Sequence, residues 1–452
     1  MQKSYSKSKL VRRSRVFRGS LGLWRPRLVF WTGALAIGVT SVGFAWMADF
    51  AQETFHHTTM AGEWTFLLPL LVTPLGFIAC AWLAITYFPN SQGSGIPQAI
   101  AARHLNDNED RSRLLSLKVA FGKIALTTLG LFTGASIGRE GPTVQVGASF
   151  MLAAARFGGM AQARGLILAG SAAGIAAAFN TPLAGIVFAI EEMSRAYESR
   201  ANGIVLTAVI LSGLAALGLA GSYHYFGSTS AIPVSVRDWG LVPICGIGGG
   251  ALGAVFSGLA LHLGIRIRRW AQPAPVKRMV LFAGACGLGV ALIGVISGGT
   301  TFGTSYEQAR GALAGEPTSI IFFIEKFLAS FLSMISGIPG GIFAPSLSIG
   351  AGFGSTIGQV MGTSVALGAV LGMAGYFAGV VQAPMTAFVI IIEMTGNDHA
   401  ILPIMAVSMI GYVTSRLLSP EPLYHGLSRN FIAAAIRARR ADHRHGEEPQ
   451  PR

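Results

Sequence analysis

The chain has 452 residues, 52% of them hydrophobic and only 12% charged, with 59 glycines and a net charge of +14. An ordinary soluble domain carries about twice that charged fraction, and from Phe327 to Ile392 there is no Asp, Glu, Lys, Arg or His at all. A string of soluble domains is therefore excluded, and an all-α polytopic membrane domain is expected over 28–425, between basic tails at 1–27 and 426–452.

The charge is segregated along the chain. Residues 1–28 hold nine Lys/Arg, and no carboxylate side chain occurs before Asp49. Further basic clusters run from Arg103 to Lys118, from Arg266 to Arg278 and from Arg437 to Arg440. The intervening loops are poor in Lys/Arg, with none in 49–64, Arg237 alone in 221–240 and Arg310 alone in 298–317. This is the positive-inside pattern. It assigns both termini and the 103–118 and 262–278 loops to the cytoplasm, with the lipid bilayer and not nucleic acid as the macroscopic partner. The apolar run 28–52 has spanning length and is no signal-peptide core, although the acid-free Arg/Ser-rich start leaves a transit peptide open. Cys80, Cys245 and Cys286 all lie in apolar segments, which suits buried thiols and not a disulfide framework or metal site.

In chain order, long spans are expected at 28–52, 64–88, 202–226, 239–265, 278–297 and 319–335. His56-His57 fall in an outer loop with no metal-ligand partner at helical spacing. Between 119 and 195, and again between 335 and 418, Gly and Pro cut the apolar sequence into short pieces. Non-helical backbone at membrane depth is tolerated only where protein or a water-filled cavity satisfies it. The two chopped regions align: Gly138-xxx-Pro142-xxxx-Gly147-Ala148-x-Phe150 with Gly341-xxx-Pro345-xxxx-Gly350-Ala351-x-Phe353, and Pro182 to Glu191 with Pro384 to Glu393. An internal duplication follows, with halves of approximately 28–226 and 239–425. Interrupted segments at matching places in two halves point to a transport site.

Glu140 is the most informative single residue. It and Arg139 are the only charged side chains from Ile124 to Phe150, and an acid at membrane depth is a functional hypothesis by default. Three motifs can open helices around it: Gly93-Ser94-Gly95-Ile96-Pro97, Gly138-Arg139-Glu140-Gly141-Pro142 and Gly340-Gly341-Ile342-Phe343-Ala344-Pro345. Glycine admits close backbone approach and proline suits a first turn. Helix starts aimed at one point present free N–H groups and partial positive charge to a small anion. Ser94 and Tyr424, in Pro422-Leu423-Tyr424, add neutral hydroxyl donors.

These residues carry a resemblance. The sequence resembles the CLC family of chloride channels and chloride/proton exchangers over roughly residues 28–425, through GSGIP at 93–97, GREGP at 138–142, AAAFNTPLAGIVFAIEEM at 176–193, GGIFAP at 340–345 and PLY at 422–424. The resemblance implies two inverted halves of many short tilted helices, and a homodimer in which each subunit has its own pore. It implies an anion site made by the Ser94 and Tyr424 hydroxyls and the backbone amides of Ile342 and Phe343. Glu140 matches the gating glutamate, which is also the outer proton site, and Glu192 the inner proton site that separates exchangers from channels. Lys123 matches a lysine under the pore, whose bland alternative is an interfacial snorkelling lysine. Arg139 is expected to bond local carbonyls or set the field at the outer mouth.

The function implied is secondary active exchange of chloride for protons in a bacterial inner membrane, with bromide or nitrate as further passengers and no cofactor or metal. A passive chloride channel is the alternative within the family. An intramembrane enzyme using Glu140 and Glu192 is the alternative of another class, without a Ser/His pair or HExxH motif to support it. Glu191 is read as capping or solvating a helix end, and Glu393, its repeat mate, as structural. Two departures matter: Gln98-Ala99-Ile100 follows GSGIP where some bacterial exchangers carry acids, and only 28 residues follow Tyr424.

Overall fold

The computed structural model describes residues 21–62, 64–160, 163–194, 202–221 and 223–446. The basic segment 1–20 and residues 447–452 lie outside the described residues. The first half comprises α1 (Leu21–Met60), α2 (Pro69–Thr86), α3 (Ile96–His104), α4 (Asn108–Leu114), α5 (Leu117–Phe132), α6 (Glu140–Gly158), α7 (Ala163–Phe179), α8 (Pro182–Phe188) and α9 (Asn202–Ala220). A π-helical turn, Ala189–Ser194, extends α8. The second half comprises α10 (Val236–Ala271), α11 (Pro275–Ile296), α12 (Tyr306–Leu313), α13 (Phe322–Ile335), α14 (Phe343–Met361), α15 (Val365–Val381), α16 (Pro384–Thr395), α17 (Ile401–Leu418) and α18 (Leu423–Gly446).

Local chemistry explains eight of the helix starts. Proline occupies the first turn of α2, α3, α8, α11 and α16, where its missing N–H costs nothing. Ser235 and Asp238 form a reciprocal capping box that starts α10, and the Ser116 and Ser364 hydroxyls accept from backbone N–H groups at the starts of α5 and α15. Among the described residues, seven helical stretches are long and apolar enough to cross a membrane. The chain is an integral, multi-pass membrane protein.

The observed spans depart from expectation at four places. The stretch 108–132, part of which falls in the first chopped region, is long and apolar enough to cross, because α5 carries no proline and Gly122 and Gly130 do not break it. The segment 319–335 yields only the 14-residue α13, about 21 Å long and short of a ~30 Å hydrocarbon core. The stretch 398–418, assigned to a chopped region, contains a spanning helix, because Pro403 falls in the first turn of α17 and does not break it. His56 and His57 lie on the last turns of α1 and not in a loop, since α1 runs on well past the expected end at 52.

The duplication is visible in the packing. A β-carbon on Gly147 of α6 would strike the Gly170 carbonyl of α7, and one on Gly350 of α14 would strike the Gly372 carbonyl of α15. Glycine lets each pair cross backbone to backbone. At the centre, Gly138 N–H donates to Gly341 O at 2.8 Å and Gly341 N–H donates back to Gly138 O at 2.7 Å, an antiparallel pair. Chains that pass each other in opposite senses send α6 and α14 out of the middle in opposite directions, as inverted halves require. The α14 helix is buried over nearly its whole length, so the core lies where the interrupted segments meet.

Candidate functional site

Three helix starts converge. Each of the glycine-rich motifs opens a helix as its sequence predicts: Gly95, at φ +99°, precedes α3, Arg139 precedes α6 and Ile342 precedes α14. A β-carbon on Gly141 would collide with Ser94 Oγ and lie 3.3 Å from Gly341 Cα. The three motifs are thus in contact at a single point. Their loops are stitched together by Gly93 N–H donating to Ile338 O and Gly340 N–H donating to Gly93 O, both at 3.1 Å.

Glu140 is fully buried there. Its Oε1 accepts from the Tyr225 hydroxyl at 3.3 Å, and its carboxylate is within electrostatic reach of its own N–H, that of Ala344 and the Arg139 guanidinium. Ala344 belongs to the first turn of α14, whose leading N–H groups, including those of Ile342 and Phe343, have no acceptor within the helix. The carboxylate therefore occupies the electropositive end of α14.

Next to it are two polar groups of a different kind. Ser94 Oγ and the Tyr424 hydroxyl are buried and face one another, with no other hydrogen-bond partner among the described residues. A facing pair of hydroxyls can satisfy only one of its two O–H donors internally, and leaving the other unmet beside three helix starts costs about 1–3 kcal/mol. The Tyr424 ring is fixed by stacking on Phe343, with centroids 6.0 Å apart and planes at 14°. Phe343 is clamped in turn by Phe377 at 4.9 Å. Buried hydroxyls beside the free N–H groups of three helix starts give this point the chemistry that suits a small anion.

Arg139 does more than bond local carbonyls. Its guanidinium reaches back to α1, donating to Ala45 O at 2.8 Å and to Asp49 Oδ1 at 2.6 Å, and it lies over the Tyr225 ring. Arg139 and Tyr225 line one wall of a cavity of about 790 Å³ that also includes Asp49, His56 and Tyr306. Glu140 is one layer beneath that wall. Lys123 does not snorkel: it is fully buried, and its Nζ donates to Gly93 O at 2.8 Å and Gln92 O at 3.4 Å. It braces the loop that carries Ser94.

Glu192 lies on the π-helical turn, buried, with its carboxylate within electrostatic reach of Tyr424. Its neighbour Glu191 points elsewhere and accepts from the Met385 and Thr386 N–H groups at 3.1 and 2.6 Å. Glu393 accepts from Leu183 and Ala184 N–H at 3.1 and 2.7 Å. Both are helix caps, consistent with the structural reading of each. The structure thus gathers Ser94, Glu140, Ile342, Phe343 and Tyr424 at one point, with Arg139 on one side of it, Glu192 on the other and Lys123 behind Ser94. Tyr225 and Asp49 escaped sequence reasoning. Tyr225 follows the Gly221 stop (φ +77°) that ends α9, the one local hint that the chain turns back there.

Comparison with known proteins agrees with this geometry. A family model described as voltage gated chloride channel matches residues 75–416. The H(+)/Cl(-) exchange transporter ClcA of Salmonella paratyphi A is 33% identical over 387 residues, 80% of this chain and 80% of that protein. The solved structure of a slow cyanobacterial Cl-/H+ antiporter matches with a TM-score of 0.77 at 25% identity, covering 90% of this chain and 98% of its own. A CLC-type fluoride/proton antiporter has the same fold, with a TM-score of 0.75 at 22% identity over 90% and 98% of the two chains. From the converging helix starts, the family match over most of its length and a relative at one-third identity, the chain belongs to the voltage-gated chloride channel family, CLC.

Proposed function

We propose that the protein is a secondary active transporter that exchanges chloride for protons, with Glu140 as its gate. The observation that carries this reading is the Glu140 carboxylate at the start of α14, within reach of the Ala344 N–H. A negative side chain there takes the electrostatic place of an anion. Chloride and the charged carboxylate compete for one pocket, whereas a protonated Glu140 has no charge to hold it and yields. Each protonation then admits an anion, which couples the two fluxes. Ser94, Tyr424 and the amides of Ile342 and Phe343 coordinate the anion. Bromide and nitrate are passengers of similar chemistry.

Glu192 serves as the inner proton site, and its burial favours exchange over a passive channel. A carboxylate with no exposure is expensive at this depth, and a channel has no use for one beside its anion site. The names borne by the 33%-identical relative and the cyanobacterial antiporter support the same choice. Arg139 sets a positive field at the outer mouth, and Lys123 adds positive potential while it holds the Ser94 loop. The 103–118 and 262–278 loops and both termini face the cytoplasm of a bacterial inner membrane, by their Lys/Arg content. The working unit is a homodimer with one pore per subunit, and no enzymatic step is involved.

The deciding experiment is a chloride gradient imposed on sealed proteoliposomes. Proton movement against its own gradient is expected, and dissipation of chloride without it sinks the exchanger. Glu140→Gln should pass chloride but move no protons. Retained proton pumping in that variant removes Glu140 from its role.

A further inference from the structure

We infer that His425 relays protons between cytoplasmic water and Glu192, an inference that rests on Glu192 as the inner proton site. The residue after Tyr424 on α18 turns its imidazole toward the π-helical turn. His425 Nε2 is 2.9 Å from the main-chain oxygen of Glu192 and 3.9 Å from its Oε1. The Glu192 side chain is 1% exposed, whereas that of His425 is 19% exposed. A carboxylate that water does not reach is therefore bordered by an imidazole that it does.

The chemistry of the ring suits transfer. A carbonyl accepts only from N–H, so Nε2 carries hydrogen and Nδ1 is the basic atom. Water on the cytoplasmic side gives a proton to Nδ1, which makes an imidazolium. The Nε2 proton then passes to Glu192 Oε1, which becomes a carboxylic acid, and the ring is left neutral with hydrogen on Nδ1. When the ring swings out to water, Nε2 takes up a proton and Nδ1 releases one, which restores the starting tautomer, so the net result is one proton moved from cytoplasm to Glu192. A shift of about 1 Å brings the 3.9 Å separation into hydrogen-bond range. Histidine is the side chain whose ordinary titration spans physiological pH.

Among the described residues, the charged groups on the surrounding helices have contacts of their own. Arg103 of α3 donates to the Met193 carbonyl and thereby fixes the same turn from its other side. Glu191 and Glu393 cap helix starts, and Glu421 pairs with Arg429 at 2.7 Å. His104 and His262 each contact a carbonyl one turn back on their own helices, at 2.8 and 2.7 Å. Ile100, on the GSGIP helix, offers no proton site. Among these described groups, His425 is the titratable ring that borders Glu192 and is reached by water.

The test uses full-length protein in proteoliposomes, with proton and chloride flux measured together and chloride affinity measured calorimetrically in detergent. His425→Gln keeps a donor for the Glu192 carbonyl but cannot carry a proton. His425→Ala opens space for added imidazole. Both variants should lose proton flux by at least about ten-fold while chloride affinity stays within about two-fold, and imidazole on the cytoplasmic side should restore proton flux in His425→Ala alone. Full proton flux in His425→Gln overturns the relay and leaves the histidine as a brace for the carbonyl. So does the absence of an imidazole response, and so does loss of chloride binding in both variants, which would make the residue a support for Tyr424. Glu192→Gln, run in parallel, separates the two readings. Unimpaired proton flux there removes Glu192 itself, whereas loss there with intact histidine variants removes only His425.

Discussion

Glu191 and Glu393 cap each other's halves. The carboxylate of Glu191 closes the first turn of α16, and that of Glu393 closes the first turn of α8. The exchange is reciprocal to the residue, because Leu183 and Ala184 in one half correspond to Met385 and Thr386 in the other. Each acid satisfies two N–H groups that a helix start leaves bare and meets the positive end of a helix dipole. Replacing either glutamate by alanine should cost about 1–3 kcal/mol and lower the thermal midpoint in detergent, with the anion affinity of the folded protein unchanged. Glu421→Ala, which breaks an exposed ion pair, should leave the midpoint close to wild type.

Tyr225 is expected to bias the competition at the pore. Its hydroxyl steadies the charged Glu140 side chain in place, and Tyr225→Phe removes that bond while keeping the ring under Arg139. The anion then meets a weaker competitor. A hydrogen bond to a charged group is worth about 1.5–3 kcal/mol, so chloride affinity measured by calorimetry should rise by roughly 10- to 100-fold. A fall in affinity would place Tyr225 on the anion's side of the competition.

Ser94→Ala and Tyr424→Phe each delete one of two buried hydroxyls that, among the described residues, face only each other. If those hydroxyls bind the anion, each loss should weaken chloride by about 1–2 kcal/mol, or roughly 5- to 30-fold in Kd. The phenylalanine keeps its stack on Phe343, so folding should survive. Improved thermal stability without any loss of chloride binding would mean that the hydroxyls were strain and not ligands.

Gly141→Ala tests the convergence itself. The added methyl collides with Ser94 Oγ and crowds Gly341, so it has to push two of the three helix starts apart. Chloride binding should be abolished, whereas Gly165→Ala, at a position with open space around it, should be silent. Wild-type affinity in Gly141→Ala would show that the three motifs do not share one site.

The helix starts were legible because their signals are local. Gly95 with Pro97, Glu140 with Pro142 and Phe343 with Pro345 each specify a turn and a first helical turn within five residues, and the repeat located them twice. Long-range partners were not legible. Tyr225 finds Glu140 across 85 residues, Asp49 finds Arg139 across 90, and His425 finds Glu192 across 233. No periodicity or spacing encodes such meetings. The short α13 was misread for a related reason, since its apolar run continues through residues that turn and does not mark where the helix begins. The snorkelling alternative for Lys123 failed because its length and charge say nothing of the two loop carbonyls that await it.

The main-chain bonds between Gly138 and Gly341, and those from Gly93 to Ile338 and Gly340, rivet the two halves together at the middle of the bundle. Many carriers expose their cargo to one side and then the other by rocking one half against its twin. Here that motion would break buried main-chain hydrogen bonds at the very place proposed for the ion. Transport has to be accomplished by swinging side chains within a stationary frame, so the cycle is a matter of ångströms and a few rotamers.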